Sequence, residues 1–310
     1  MPTASRRPHF RRHAPPPLRI TDDDIAIVRH VGKHRFLRST HIARLLQRPA
    51  KKVVERLGAL YHTGYLDRPR AQLDYYATSG RAPYVYALGN RGAALLAEVD
   101  GVEQPKVDWT DKNREAGRLF LEHTLLTADV MVAFEVALFA RPDIRLIAPE
   151  QIVANAPEAT RRSRNPFKFT VTVAQNGYAG RLSVIPDKVF GLDYTTERKR
   201  SYFFLEADRA TMPIMRSTLA QTSMYRKFVT YSAGGGTDNL FGKQLGIGNF
   251  RVLTVTSGST RSANMISVLR LAARPSGQFL FAAHKELISE SDLLAFDWTS
   301  GRNSAVQIGS

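Results

Sequence analysis

The sequence predicts an α+β protein in two parts: a winged helix-turn-helix, then an α/β domain with a mixed sheet. Three observations carry this. Residues 21–66 hold three segments with helix-period apolar residues, the third after a tight break. A basic stretch alternating polar and apolar residues follows them. Beyond residue 114, helix-period and strand-like segments alternate, as in a sheet with helices packed on it. A chain of 310 residues is long enough to bury two cores.

Thr21 before Asp22, Asp23 and Asp24 is a helix start, a hydroxyl cap followed by negative charge at the positive end of the dipole. Ile25, Val28 and Val31 then make an apolar stripe. RSTHIARLLQ (38–47) predicts a second helix, capped by Ser39 or Thr40 and burying Ile42, Leu45 and Leu46. After Arg48-Pro49, a third helix has Val53, Val54, Leu57, Leu60 and Tyr61 at helical spacing and ends at Gly64. Three such helices make a helix-turn-helix. DRPRAQLDYYATSGRAPYVYAL reads as a basic hairpin, the wing, turning at Ser79-Gly80-Arg81. A last helix, GNRGAALLAEV, closes a unit spanning residues 21–100. Residues 1–20 read as a disordered basic arm, and residues 101–113 as a linker.

In the second part, residues 114–290, a helix over 115–139 is expected to bury Leu119, Leu125, Leu126, Val130, Phe134 and Leu138. His123, Asp129 and Glu135 are its notable polar residues. Strand-like segments follow at 144–153, 167–173, 181–192 and through YFFLEAD (202–208). A helix is expected from Pro213, then a strand at 250–257, a further helix and a last strand. Residues 291–310 read as a tail.

The net charge of +16 favours an anionic polymer as partner, double-stranded DNA first. A helix-turn-helix of this kind sets its third helix in the major groove. The candidate DNA contacts are therefore Arg48, Lys51, Lys52 and Arg56 on that helix and Arg68, Arg70 and Arg81 on the wing. There is no cysteine, which excludes disulfides and zinc–thiolate sites. No membrane-spanning run and no secretory signal is recognised, so a cytoplasmic protein with no membrane partner is expected.

Ile185-Pro186-Asp187, followed about twenty residues later by Glu206-Ala207-Asp208, resembles the PD-(D/E)xK nuclease core. Gln221 and Tyr225 resemble the QxxxY element of its RecB-like branch, and His123 stands where that branch often has a metal-binding histidine. The resemblance implies catalytic residues Asp187, Glu206, Asp208, Gln221 and Tyr225, with Asp187, Glu206 and His123 as ligands of Mg or Mn. A hard divalent ion prefers such oxygens and polarises a phosphate. Position 208 departs from the pattern, with an acid where a lysine is expected. Lys188 or Lys227 is a substitute only from outside the motif.

The chain as a whole, from the helical N-terminus through FLEHTLLTADV, VIPDKVFGL, FFLEADRATMP, KFVTY and FRVLTVT, resembles the replication-relaxation family of bacterial plasmids and other mobile elements. This implies a role in the replication or mobilisation of such elements. The charge and the winged helix add duplex-DNA binding that needs no cofactor, and the acid at position 208 makes the nuclease-like domain inactive; replication or mobilisation proteins or a second copy are the expected partners. The alternatives are a metal-dependent endonuclease or nickase using Asp187 and Glu206, and a transcriptional repressor.

Overall fold

The computed structural model describes residues 10, 12–14, 17–73, 82–101, 107–175, 177–236, 238–273 and 276–309. The fold is α+β with mixed sheets, in two compact units, Met1–Val132 and Ala133–Ser310.

The first unit begins with α1 (Asp22–His34), β1 (Phe36–Arg38), α2 (Ser39–Leu46) and α3 (Ala50–His62). At the head of α1 the Thr21 hydroxyl accepts from the Asp24 N–H, and the Asp24 carboxylate accepts from the Thr21 N–H at 2.8 Å. Two of the helix's unsatisfied donors are thereby met. α2 is entered from Arg38, not Ser39 or Thr40, and the His41 ring accepts the Arg38 N–H instead of a hydroxyl cap. Gln47 turns left-handed (φ 51°), and Pro49 restarts the chain as α3. α3 buries Val53, Leu57, Leu60 and Tyr61, whereas Val54, expected inside, is exposed. Gly64 (φ 84°) ends it, letting the Tyr65 N–H return to the Leu60 carbonyl.

β2 (Leu66–Asp67) and β3 (Val85–Leu88) pair antiparallel, and β1 pairs with β3, giving the order β1-β3-β2. The expected wing tip, with Arg81, lies outside the described residues. Next come α4 (Asn90–Asp100) and α5 (Trp109–Glu115). The latter lies in the stretch expected as linker, and Asp108 caps it. The arm expected to be disordered is seated where it is described. Arg12 donates to the Leu66 carbonyl and the His13 N–H to the His62 ring.

α6 (Arg118–Ala137) has Leu125, Leu126, Val130 and Phe134 buried but Leu119 exposed. With its 3₁₀ extension to Ala140 it is long and apolar enough to cross a membrane, at mean hydropathy 1.5, contrary to expectation. More than half of that window is buried within the protein, which explains its composition. Asp129 pairs with Arg38 and, at 2.7 Å, with His41.

The second unit is built on a seven-stranded sheet. Its strands are β4 (Ile144–Ile147), β7 (Lys188–Tyr194), β8 (Lys199–Ala207), β9 (Arg251–Thr256), β10 (Phe279–Ala283), β11 (Trp298–Ser300) and β12 (Ala305–Val306). β5 (Phe169–Gln175) and β6 (Tyr178–Val184) form a separate hairpin. The order is β12-β11-β10-β9-β8-β7-β4, parallel across β8-β9-β10 and antiparallel elsewhere. The segment read as a tail thus supplies two strands. Residues 148–153, expected as strand, instead begin α7 (Pro149–Ala154), because Pro149 suits a first helical turn and Gln151 caps back to Ala148. After α7 comes the short α8 (Glu158–Arg161).

Between β8 and β9 lie α9 (Met224–Gly234) and α10 (Leu240–Leu245); α11 (Ser259–Ala272) joins β9 to β10, and α12 (His284–Ser289) follows β10. α9 starts eleven residues after Pro213, with Ser223 capping the Arg226 N–H. Phe204, Phe228, Phe241, Phe250 and Phe279 fill the core between sheet and helices.

Candidate functional site

In the first unit, the outer surface of α2 and α3 is basic. Arg44, Arg48, Lys51 and Lys52 are exposed. Arg48 meets Asp23 at 3.3 Å, an exposed pair of little strength. Arg44, Lys51 and Lys52 have no ion-pair partner among the described residues. Arg44 was not foreseen, although it lies one turn before the break.

Two expected contacts are held inside. Arg56 reaches back to α1, its Nε 2.5 Å from Asp24 Oδ1, and also donates to the Arg19 carbonyl. Asp24 is fully buried, so Arg56 holds helices together rather than facing a groove. Burial pushes the Asp24 carboxyl up, but bonds from Arg56 and Thr21 outweigh it and leave the pKa lowered. Arg68 is buried with its guanidinium over the rings of Tyr61, Tyr84 and Tyr86, at 4.3, 4.6 and 5.1 Å. Arg70 is exposed. His123 is half-buried on α6 in this unit.

In the second unit, Pro186 marks where the chain leaves the β5–β6 hairpin for the large sheet, since proline cannot donate to a ladder. The next residue, Asp187, is set beside the end of β8. Its N–H donates to the Leu205 carbonyl at 2.9 Å, and its Oδ2 accepts the Ala207 N–H at 2.7 Å. Glu206, 1% exposed, is gripped from α9. Lys227 Nζ lies 2.5 Å from Oε2, and the Tyr231 hydroxyl donates to Oε1 at 2.5 Å. Lys227 and Tyr231 are one helical turn apart and so share a face. The lysine missing from the strand thus comes from the helix, while Tyr231 went unforeseen; its only signal was that spacing in KFVTY.

Burial drives the Glu206 carboxyl up, the Lys227 charge opposes this, the Asp187 charge adds to it, and the result is about 7. For Lys227 burial lowers the pKa, but the charges of Glu206 and Asp187 outweigh it and raise it. Tyr231 is pushed well above its ordinary value by burial and by Glu206.

Asp208 adds its charge to the rise at Lys227 but makes its hydrogen bonds elsewhere. β8 stops at Ala207, and Asp208 turns to accept from Thr256 Oγ1 at 2.7 Å and from Arg261 at 2.5 and 3.0 Å. Arg261 also bonds the Met212 carbonyl. Asp208 is a structural tie between β8, β9, α11 and the following loop. Gln221 is exposed and precedes α9, so it shares no helix with Tyr225, which is buried in the core.

The donor set of Asp187 and Glu206 fits a divalent cation. Both are hard oxygen ligands at neighbouring strand ends. Asp187 destabilises the charged form of Glu206, a repulsion that a cation would relieve. Each Glu206 oxygen keeps a second lone pair beside its bond to α9.

The class is that of an α+β protein with a basic helical face in its first unit and a carboxylate–lysine centre on the mixed sheet of its second. The replication-relaxation family profile matches residues 28–242, more than half of the chain, and the chain belongs to that family. Membership points to a role in the replication or relaxation of a plasmid or other mobile element. No curated protein and no solved structure matches the chain.

Proposed function

We propose that the protein binds duplex DNA of a bacterial plasmid or mobile element through the outer face of α2 and α3, in the cytoplasm, during its replication or mobilisation. One observation carries this: Arg44, Arg48, Lys51 and Lys52 are exposed around the tight turn between two packed helices. That is where a helix-turn-helix meets phosphate and groove. The strand order β1-β3-β2 behind the helices supports a winged form.

A second reading, a metal-dependent endonuclease or nickase, gains from Lys227. Its absence from the motif argued against cleavage, yet its ammonium reaches Glu206 from α9. Asp187 and Glu206 would hold Mg or Mn, which when bound supplies Lewis acidity toward a phosphate oxygen. Lys227 holds a positive charge at the acids, and Tyr231 fixes the Glu206 carboxyl.

The test incubates supercoiled plasmid and linear duplex with the protein and Mg²⁺ or Mn²⁺. It compares Asp187→Ala, Glu206→Ala and the Lys51→Ala/Lys52→Ala pair. Retarded DNA without cutting, weakened only in the lysine pair, fits the first reading alone. Cutting lost in both acid variants adds the second. Unchanged retardation in the lysine pair removes α3 as the DNA-binding face.

A further inference from the structure

At the opposite end of β7 and β8 from Asp187, three charged residues stand in one row across the sheet. Arg145 on β4 is in register with Asp193 on β7, and Asp193 with Arg200 on β8. Two residues along, on the same face, Ile147, Gly191 and Tyr202 form the next row. A Cβ at Gly191 would come within 3.0 Å of the Tyr202 ring and 3.1 Å of Ile147, so glycine allows both side chains to close over this strand as a floor. α7 and the end of α10 wall the face, leaving a cavity of about 390 Å³. That size lies within the range of small-molecule sites.

Arg145, Arg200, Gln151 and Tyr202 bring donors to the lining, beside the carboxylate of Asp193. Arg200 meets Asp193 at 3.4 Å, and Arg145 has no ion-pair partner among the described residues. The Gln151 side-chain oxygen already accepts the Ala148 N–H, so its NH₂ group is what it has to offer. Tyr202 adds an aromatic ring, and Ile147 and Ile152 an apolar surface. Two guanidiniums at one rim call for an anion with several acceptor oxygens, and phosphate is the best match. A ring beside an apolar floor suits a planar base.

We propose that this cavity binds a nucleotide, with its phosphate on Arg145 and Arg200 and its base beside Tyr202. The source is either a free nucleotide or a nucleotide within a DNA strand; the recognition chemistry is the same. Asp187 and Asp193 are six residues apart on an extended strand, about 20 Å, so this site is separate from the carboxylate–lysine centre. It is also independent of the proposed role of α3.

The experiment is calorimetric titration of the full chain, at fixed ionic strength, with dAMP, with inorganic phosphate and with a 5′-phosphorylated single-stranded oligonucleotide. Arg145→Ala, Arg200→Ala, Tyr202→Leu and the Lys51→Ala/Lys52→Ala pair are compared with the native protein. dAMP binding that falls roughly tenfold or more in each arginine variant, falls for dAMP but not for phosphate in Tyr202→Leu, and persists in the lysine pair supports the proposal with a free ligand. Binding of the oligonucleotide alone, lost in the arginine variants, supports it with a strand as the source. No binding of any probe, or binding indifferent to Arg145 and Arg200, overturns it. Oligonucleotide binding lost only in the lysine pair overturns it while leaving the role of α3 intact.

Discussion

Asp24 in the first unit and Glu206 in the second are both sealed from solvent, at 0% and 1% exposure, yet their carboxyls shift in opposite directions. Asp24 faces the guanidinium of Arg56 and two bonds from Thr21, with no second acid among the causes of its shift. Glu206 faces an ammonium and a phenol, and has Asp187 beside it. Burial is the largest cause in each; at Asp24 the bonds from Arg56 and Thr21 outweigh it, and at Glu206 Lys227 and Tyr231 do not. The carboxylate that ties helices together is held ionised, whereas the one beside a second acid is pushed toward its protonated form.

Removing the cation from each acid is the most direct way to break this contrast. Lys227→Met leaves Glu206 buried without its counter-charge and is expected to cost about 3–5 kcal/mol at pH 8. The loss should shrink at pH 5.5. The folded-state pKa of Glu206 is raised from 4.5 to about 7, so the folded state holds the proton more tightly, and this group's contribution to stability declines as pH rises through that window. Urea unfolding at the two pH values measures it, and equal losses would contradict the contrast.

Arg56→Ala should cost about 3 kcal/mol, the low end for a buried acid stripped of its partner. Here the loss should change less between pH 5.5 and 8 than in Lys227→Met, because the Thr21 bonds still oppose burial at Asp24. The Asp24 pKa is lowered, so its stabilisation is present above 3.8 and disappears only as pH falls through the depressed value. The same unfolding curves decide this.

Tyr231→Phe removes one donor from Glu206, for about 1.5 kcal/mol, and should move the carboxyl further up. Infrared spectra at pH 7 should then show more protonated carboxyl than in the native protein. Smallest in stability is the Lys51→Ala/Lys52→Ala pair, within about 0.5 kcal/mol. Its effect belongs in DNA binding, where the slope of log K against log salt should fall by about 0.9 for each phosphate that the missing ammonium groups would have neutralised.

The sequence carries the local signals well and the distant ones poorly. Thr21 with three aspartates announced α1, and the run through YFFLEA announced β8, because caps and apolar periods act within a few residues. Pro213 looked like a helix start but is not one. The carbonyls of Pro213 and Ile214 instead accept the N–H groups of Met224 and Tyr225, so the loop folds back to cap α9. Alternation put Asp208 with Glu206, and the end of β8 at Ala207 separated them. The pairing of Lys227 with Glu206 spans 21 residues and depends on how α9 docks on the sheet, which no local pattern records. The same holds for the Arg145–Asp193–Arg200 row, visible only once strand register is known. Arg56 shows the converse: a basic residue on the expected reading helix, with no local sign that a buried aspartate on α1 holds it.

The hairpin of β7 and β8 has a consequence for the order of assembly. These strands are joined by residues 195–198 alone, so they can zip early and bring Asp187 beside Glu206. Lys227 belongs to the long crossover of residues 208–250, whose closure is slower. The two acids are thus brought together by a four-residue connection, and the ammonium that offsets them by a crossover of about forty residues.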